Sequence, residues 1–447
     1  MIEQRRVSDD DAPMRTPLTP PIKMIDVEVT GPVGWVDDQR PGGGRYRHAL
    51  ALVRQHGTPI GSLEVAIPAG GLSGEELGAK ARLVFADRMA ELERLEAANP
   101  VSSKATENEP TLPLSVVVPT RDRAEQVGTC VASILATGYP FVEIIVVDNA
   151  PTSDRTARLI AARFSDHPEV RYLREETPGT SRARNSGWRA ARSDIVAFLD
   201  DDVVIDRRWA SAILQPFMDD NRVGCVTGLI IAAELETRAQ LWMEGYGGFS
   251  KGYEPRIFDV DEPRPRTDLF PFAAGAFGSG ASMAFRRSVL ERVGGFDPAL
   301  GGGTFAHGGE DLAAFVDVLL DGWRLAYEPR AIARHLHRRR YRDLERQLFG
   351  YGCGLSAYLT RTALRHPDQL ASMAQRTGPG LGRLLDPRSP KNARKGRDYP
   401  TRLTLLELAG FISGPVAYAR SQAVLLRPVR ARLGSGERPA ASGDEPR

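Results

Sequence analysis

Ile195-Val196-Ala197-Phe198-Leu199-Asp200-Asp201-Asp202-Val203 sets an unbroken apolar run against three consecutive carboxylates. Five apolar residues with no polar alternation predict a strand, Ile195 to Leu199, buried on both faces. Such strands belong to sheets covered by helices on both sides. The acids fall just past the carboxyl end, where open α/β sheets bind their ligands. Three packed carboxylates repel one another, so something cationic should compensate. Hard oxygen donors suit Mg²⁺ or Mn²⁺, which bridge to phosphate oxygens. An acidic loop, or a helix cap leading into Asp206, would carry the same letters.

Upstream of this run the pattern alternates. Leu114 to Pro119 is a short apolar strand, Gln126 to Ala136 is helical, and Glu143 to Asp148 is a second buried strand. A helix over Asp154 to Phe164, a strand over Val170 to Leu173 and a helix over Thr180 to Ala191 complete the series. This order implies a mostly parallel sheet with helices on both faces. Downstream, the spacing predicts a helix over Arg207 to Met218 and strands over Val223 to Ile230, Ala281 to Arg287 and Trp323 to Tyr327. Helices are expected over Glu310 to Leu320 and Tyr341 to Leu364. Glu234 to Pro271 reads as irregular, and Thr377 to Pro400 as a basic Gly- and Pro-bearing loop. Thr401 to Leu426 reads as a helix bent or broken at Gly414-Pro415.

Before this domain, Ala49 to Val53 and Ile60 to Ile67 flank His56-Gly57-Thr58-Pro59 and predict a hairpin, followed by one helical pattern from Gly74 to Ala98. The expected organisation is a disordered tail over 1–22, a small accessory module over 23–98 and a linker over 99–113. The catalytic domain then takes 114–340, a helical C-terminal extension 341–431, and a disordered tail 432–447.

Composition narrows the class. Lys plus Arg is 59 and Asp plus Glu is 57, a net charge of +2, which argues against nucleic-acid binding. Cys130, Cys225 and Cys353 are far apart and form no CxxC pair, so each reads as a small core residue in a reducing compartment. No signal peptide or membrane-spanning run is evident, and a cytoplasmic location is expected. The helix over 401–426 could lie against the inner membrane surface, as a peripheral contact.

Four further stretches could carry chemistry. Asp148, closing the second strand in Val147-Asp148-Asn149, could accept hydrogen bonds from a base or ribose, or form an Asx-turn. Gly179 to Gly187 opens a helix with cationic and amide side chains, suited to phosphate or nucleoside contact. Glu310-Asp311 begins a helix after the glycine run Gly301-Gly302-Gly303. A general base would suit that place, as would two acids held by the helix dipole. In Arg334-His335-Leu336-His337 a strand would place both histidines on one face, and one could be a metal ligand.

In order and spacing, these pieces resemble family 2 of the glycosyltransferases, with a GT-A, Rossmann-like fold. The matching stretches are Ser115 to Thr120, Val147-Asp148-Asn149, Ala183-Arg184-Asn185-Ser186-Gly187, Phe198 to Asp202, Gly294-Gly295-Phe296-Asp297 and Gly309-Glu310-Asp311. The resemblance covers about residues 114–340 and implies an inverting transfer from a nucleotide-sugar, UDP by default. The acceptor would be a hydroxyl of a glycan, a lipid-linked molecule or a small molecule. It implies that Pro119, Thr120 and Arg123 line the nucleotide pocket, that Asp148 contacts the base, and that Arg184 and Asn185 border the nucleotide. Asp200 and Asp202 would form the DxD pair around Asp201, with Asp202 the direct ligand of Mg²⁺ or Mn²⁺. His335 sits where some relatives place a metal ligand. Asp311 would be the base, with Glu310 supporting it or binding the acceptor, and Gly280 would lie near the donor sugar or acceptor. The QxxRW motif of processive synthases is absent, which favours single additions.

A dehydrogenase would need GxGxxG where this chain has Pro119-Thr120-Arg121-Asp122-Arg123, and a sugar nucleotidyltransferase a Gly-rich loop there. A catalytically silent scaffold that keeps the fold and binds a glycan or nucleotide is the alternative from another class. The presence of Asp202 and Asp311 argues against it.

Overall fold

Hydrophobic alternation explains the first sheet. In a computed structural model, which describes residues 18–98, 112–262, 267–389, 391–393, 395–396 and 398–434, β1 (Ile22–Glu28), β2 (His48–Gln55) and β3 (Thr58–Ala66) line up in that order. The expected tails and linker at 1–17, 99–111 and 435–447 lie outside the described residues. β2 and β3 form the expected antiparallel hairpin, while β1 joins β2 in parallel. Ala49, Ala51 and Val53 alternate inward and meet Leu77 and Ala81 of α1 (Gly74–Val84) in one core. The single helix expected over 74–98 is two, because α2 (Ala86–Ala98) starts after a break at Phe85. The Phe85 ring fills the space over Gly61, where a Cβ would come within 2.1 Å of it. These elements, with 232–244 and 336–341, form one compact unit.

The remaining residues form the other unit, around a nine-stranded sheet. Its first half is β4 (Leu114–Thr120), α3 (Ala124–Leu135), β5 (Val142–Asn149), α4 (Arg155–Arg163), β6 (Val170–Glu175), α5 (Thr180–Ala190) and β7 (Ile195–Leu199). Then follow β8 (Val203–Ile205), α6 (Trp209–Asp219), β9 (Val223–Ala232), α7 (Arg238–Tyr246), β10 (Arg256–Phe258), β11 (Ser282–Arg286) and α8 (Arg287–Val293). The chain continues through α9 (Glu310–Leu320), β12 (Arg324–His335), α10 (Tyr341–Arg365), α11 (Leu370–Leu385) and α12 (Thr401–Gly434). The strand order is β10-β12-β9-β11-β7-β4-β5-β6, with β8 against β12.

β6, β5, β4 and β7 are mutually parallel. β11 runs against β7, and β9 against β11, so β9 points with the parallel set. This is the mostly parallel, helix-flanked sheet expected from the sequence. Every residue of β4 and β7 is buried, as their uninterrupted apolar runs required. β4 takes β5 on one side and β7 on the other, so the strand order reverses there, the position at which open α/β sheets bind their ligands.

Several local expectations are corrected. The stretch 234–271 holds helix α7 and strand β10, and the strand expected at 323–327 runs on to His335. Residues 377–385 belong to helix α11 despite Gly378, Pro379 and Gly380, because Leu370, Met373, Ala374, Leu381 and Leu384 recur at helical spacing around them. α12 is continuous through Gly414 and Pro415. Gly414 serves close packing: a Cβ there would lie 1.9 Å from Ser356 Oγ of α10, and one at Gly410 would lie 2.0 Å from the Phe349 carbonyl. No helix among the described residues is long and apolar enough to cross a membrane.

Candidate active site

The ends of β4 and β7 are knotted together by Asp201. Thr120 Oγ1 donates to its Oδ2 at 2.7 Å and Arg123 Nη1 to its Oδ1 at 2.9 Å. Burial pushes this carboxyl up to about 6 against the pull of Arg123. Both oxygens are thereby engaged by the protein, so Asp201 fixes the turn. Pro119 lies within β4 and is buried.

Asp202 accepts from Arg123 Nη1 at 3.1 Å, and its Oδ1 lies 3.3 Å from His335 Nε2 at the end of β12. Asp200, Asp202 and His335 each present one donor atom, all within 4.8 Å of one another. Two carboxylate oxygens and an imidazole nitrogen are a suitable set for Mg²⁺ or Mn²⁺. β8 pairs with β12 through Val203 and His335, which is why a histidine 133 positions further along arrives beside Asp202. His337 does not share this place. It lies beyond the strand and its Nε2 meets Glu244 at 2.6 Å. The two histidines part because the strand stops at His335.

Arg184 on α5 joins this acidic end to the start of α9. Its Nη1 donates to Glu310 Oε1 at 2.7 Å, and its Nη2 to Asp200 Oδ1 at 3.0 Å and to the Gly280 carbonyl at 3.2 Å. Burial lifts the Glu310 carboxyl to about 7, against the opposing pull of Arg184. Burial likewise raises Asp200. Gly280 then reaches Asp311: its N–H donates to Asp311 Oδ2 at 2.7 Å. A Cβ on Gly280 would sit 2.9 Å from Asp311 and 3.1 Å from Arg184 Nη2, so the bare backbone lets the two side chains converge. α9 can begin where it does because Gly309, at φ 88°, tolerates the left-handed turn and packs against the Gly354 carbonyl.

Two of the expected site residues make contacts within the protein. Asn185 turns into the protein: Nδ2 donates to the Phe296 carbonyl at 2.7 Å, while Oδ1 accepts from Phe296 N–H at 2.9 Å and Trp188 Nε1 at 3.0 Å. Its amide anchors the Gly295-Phe296 turn. Asp148 is fully buried, and Tyr172 donates to its Oδ2 at 3.0 Å; burial pushes its carboxyl above the ordinary range.

The structure adds two aromatic neighbours: Phe249, which no motif announced, and Phe296, quoted within a family stretch but given no role. Phe249 packs 4.8 Å from the His335 ring, and the Phe296 ring lies 5.6 Å beneath the Arg184 guanidinium. A single aromatic such as Phe249 in a stretch read as irregular carries no spacing signal that would single it out.

Residues 115–294 match the glycosyl transferase family 2 model. A pre-mycofactocin glycosyltransferase of Mycobacterium tuberculosis is 30% identical over 285 residues, covering 61% of this chain and 54% of that protein. The poly-beta-1,6-N-acetyl-D-glucosamine synthase of Staphylococcus aureus is 24% identical over 225 residues, 47% of each. The chain thus spans about half the length of these two relatives. Among solved structures, a mannosyltransferase of Pyrobaculum calidifontis in complex with GDP-Man and Mn²⁺ overlaps loosely. Its TM-score is 0.41 at 20% identity, over 75% of this chain and 79% of that one.

Proposed function

We propose that this chain transfers a sugar from a nucleoside-diphosphate sugar to a hydroxyl group, with inversion at the anomeric carbon. UDP is the default donor nucleotide, and the acceptor is a glycan, a lipid-linked molecule or a small molecule, glycosylated once per encounter. The observation that carries this reading is the chain of contacts Asp200–Arg184–Gly280–Asp311, which brings an acidic cluster and a separate carboxylate to one place.

Asp202, His335 and Asp200 would hold Mg²⁺ or Mn²⁺, which as a Lewis acid stabilises the charge gathering on the departing diphosphate. Asp311 takes the proton from the acceptor hydroxyl as its oxygen attacks the anomeric carbon in line with the leaving group. The Gly280 N–H holds Asp311 Oδ2, which fixes the carboxylate's orientation. Glu310 and Asp200 are held by Arg184, so the guanidinium keeps the acidic groups together. Thr120 and Arg123 anchor the turn that the nucleotide would meet. Arg123 is half-buried and lies 3.1 Å from Asp202. The loop from Gly301 to Gly309, with positive φ at Gly301, Gly303, His307 and Gly309, closes over the donor.

A panel of UDP-, GDP- and dTDP-sugars, with and without Mn²⁺, tests this by thermal shift and donor hydrolysis. One donor should stabilise the protein and be hydrolysed slowly, more so with the cation. A panel in which no nucleotide-sugar shifts the melting temperature would reject the reading.

A further inference from the structure

A helix that packs on a domain turns its apolar face inward and its polar face to water. α12 breaks this rule. Its inward face is Leu403, Glu407, Gly410, Gly414, Ala417 and Ser421, all buried against the domain. Its outward face is also apolar: Leu405 is 60% exposed, Ile412 78% and Val416 64%. Ala409, Ala419 and Ala423 are exposed as well, and at ~100° per residue all six lie within an arc of about 80°. The stripe is ~27 Å long. No exposed position from Thr401 to Leu426 carries an acid. Arg402 and Arg420, eighteen positions apart, flank the same edge of the stripe and are exposed, Arg402 being paired with Glu345 of α10 through one guanidinium nitrogen. Arg420 lies over the Phe305 ring, 4.3 Å away, which braces its stem at the rim.

α11 repeats the inversion. Arg376 turns inward to the Phe270 carbonyl at 2.9 Å, whereas Leu370, Leu381 and Leu385 are exposed. The charge is concentrated in the same part of the chain: from Leu370 to Arg432 there are twelve Lys or Arg and three acids, in a protein whose net charge is +2.

We propose that the outward face of α12 docks on an anionic lipid bilayer. Leucine, isoleucine and valine side chains enter the headgroup–acyl boundary. Arg402 and Arg420 extend along the rim to lipid phosphates. The basic surroundings supply the long-range attraction that a short apolar stripe lacks. A second copy of the chain fits the face less well. One helix width over this length offers a few hundred Å², short of the ~800 Å² per partner that stable association needs.

Flotation of the full chain with phosphatidylcholine vesicles, with and without phosphatidylglycerol, tests the proposal. The chain should float with the anionic vesicles and not with the zwitterionic ones, and added salt should weaken the binding. The triple change Leu405→Glu, Ile412→Glu and Val416→Glu should reduce flotation roughly tenfold or more. Arg402→Glu with Arg420→Glu, which leaves the apolar stripe intact, should do likewise. Nucleotide-sugar binding should be unchanged in both variants, and the triple variant should melt as the wild type does. Arg402→Glu also breaks the Arg402–Glu345 ion pair, so Arg420→Glu alone, which should weaken flotation too, serves as the stability-matched control. Absent flotation, equal flotation on both vesicle types, or flotation unaffected by either variant would overturn the proposal. So would a wild-type dimer that the triple variant separates without any vesicle binding, since the face would then belong to a second copy.

Discussion

Arg184 Nη1 stands 2.7 Å from Glu310 Oε1, with 126 residues of chain between them and both side chains buried. The same guanidinium holds Asp200, so one cation couples the strand end that carries the acids to the helix start that carries Asp311.

Removing that cation should cost stability before it costs chemistry. Arg184→Ala leaves Glu310 buried and unpaired and should lower unfolding free energy by about 3–5 kcal/mol. Glu310→Gln keeps a hydrogen-bonding group in place and should cost about 1 kcal/mol. Burial has already lifted the Glu310 carboxyl to about 7, so acidification neutralises it and the Arg184→Ala penalty should shrink below that pH. Urea titrations at pH 8 and pH 5.5 measure the difference; equal penalties at both would contradict the ion-pair account.

Asp311→Asn preserves an oxygen that can accept from the Gly280 N–H while removing the carboxylate proposed as the proton acceptor. Transfer should fall by about 10²–10⁴-fold, with nucleotide affinity changed little. Single-turnover transfer assays beside nucleotide titrations separate the two effects. Unimpaired transfer would remove Asp311 from the role of base.

Asp202→Ala deletes the carboxylate that lies against both Arg123 and His335. Calorimetric titration with Mn²⁺ in the presence of the donor nucleotide should show affinity lower by roughly tenfold or more, because a hard cation loses a charged oxygen ligand. An unchanged isotherm would place the cation elsewhere or nowhere.

Asp317 gives the acid limb of stability. Burial pushes its carboxyl up, but His366 at 2.9 Å and the buried Arg361 guanidinium outweigh burial and hold it below the ordinary value. A folded-state value below the unfolded one stabilises above about pH 4 and loses that contribution as pH falls through the folded value. Asp317→Asn should therefore flatten the dependence of unfolding free energy on pH below about 4. A slope identical to that of the unaltered chain, from denaturant melts across that range, would refute the assignment.

The regular elements of the catalytic sheet were legible wherever apolar periodicity was strong. β7 and α9 begin and end at the residues the sequence indicated. The acids at the end of β7 and the start of α9 could be singled out for the same reason, since each sits where a periodic run meets polar residues. Glycine and proline misled the reading of α12, because there Gly410 and Gly414 mark contact with α10 rather than flexibility. The period of a helix is a local property, whereas the purpose of a glycine inside it is set by what packs alongside.

What the sequence determined by itself was the order of strands and helices, the buried runs of β4 and β7, and the family motifs. All of these follow from residue types a few positions apart. The pairings that make the site were decided only in three dimensions: Arg184 with Glu310, Gly280 with Asp311, His335 beside Asp202, and Asn185 turned to Phe296. Each joins residues 31 or more positions apart in the chain. Which buried donor meets which acceptor depends on strand register and on the direction of side chains across packed elements, and neither quantity is written in a one-dimensional pattern.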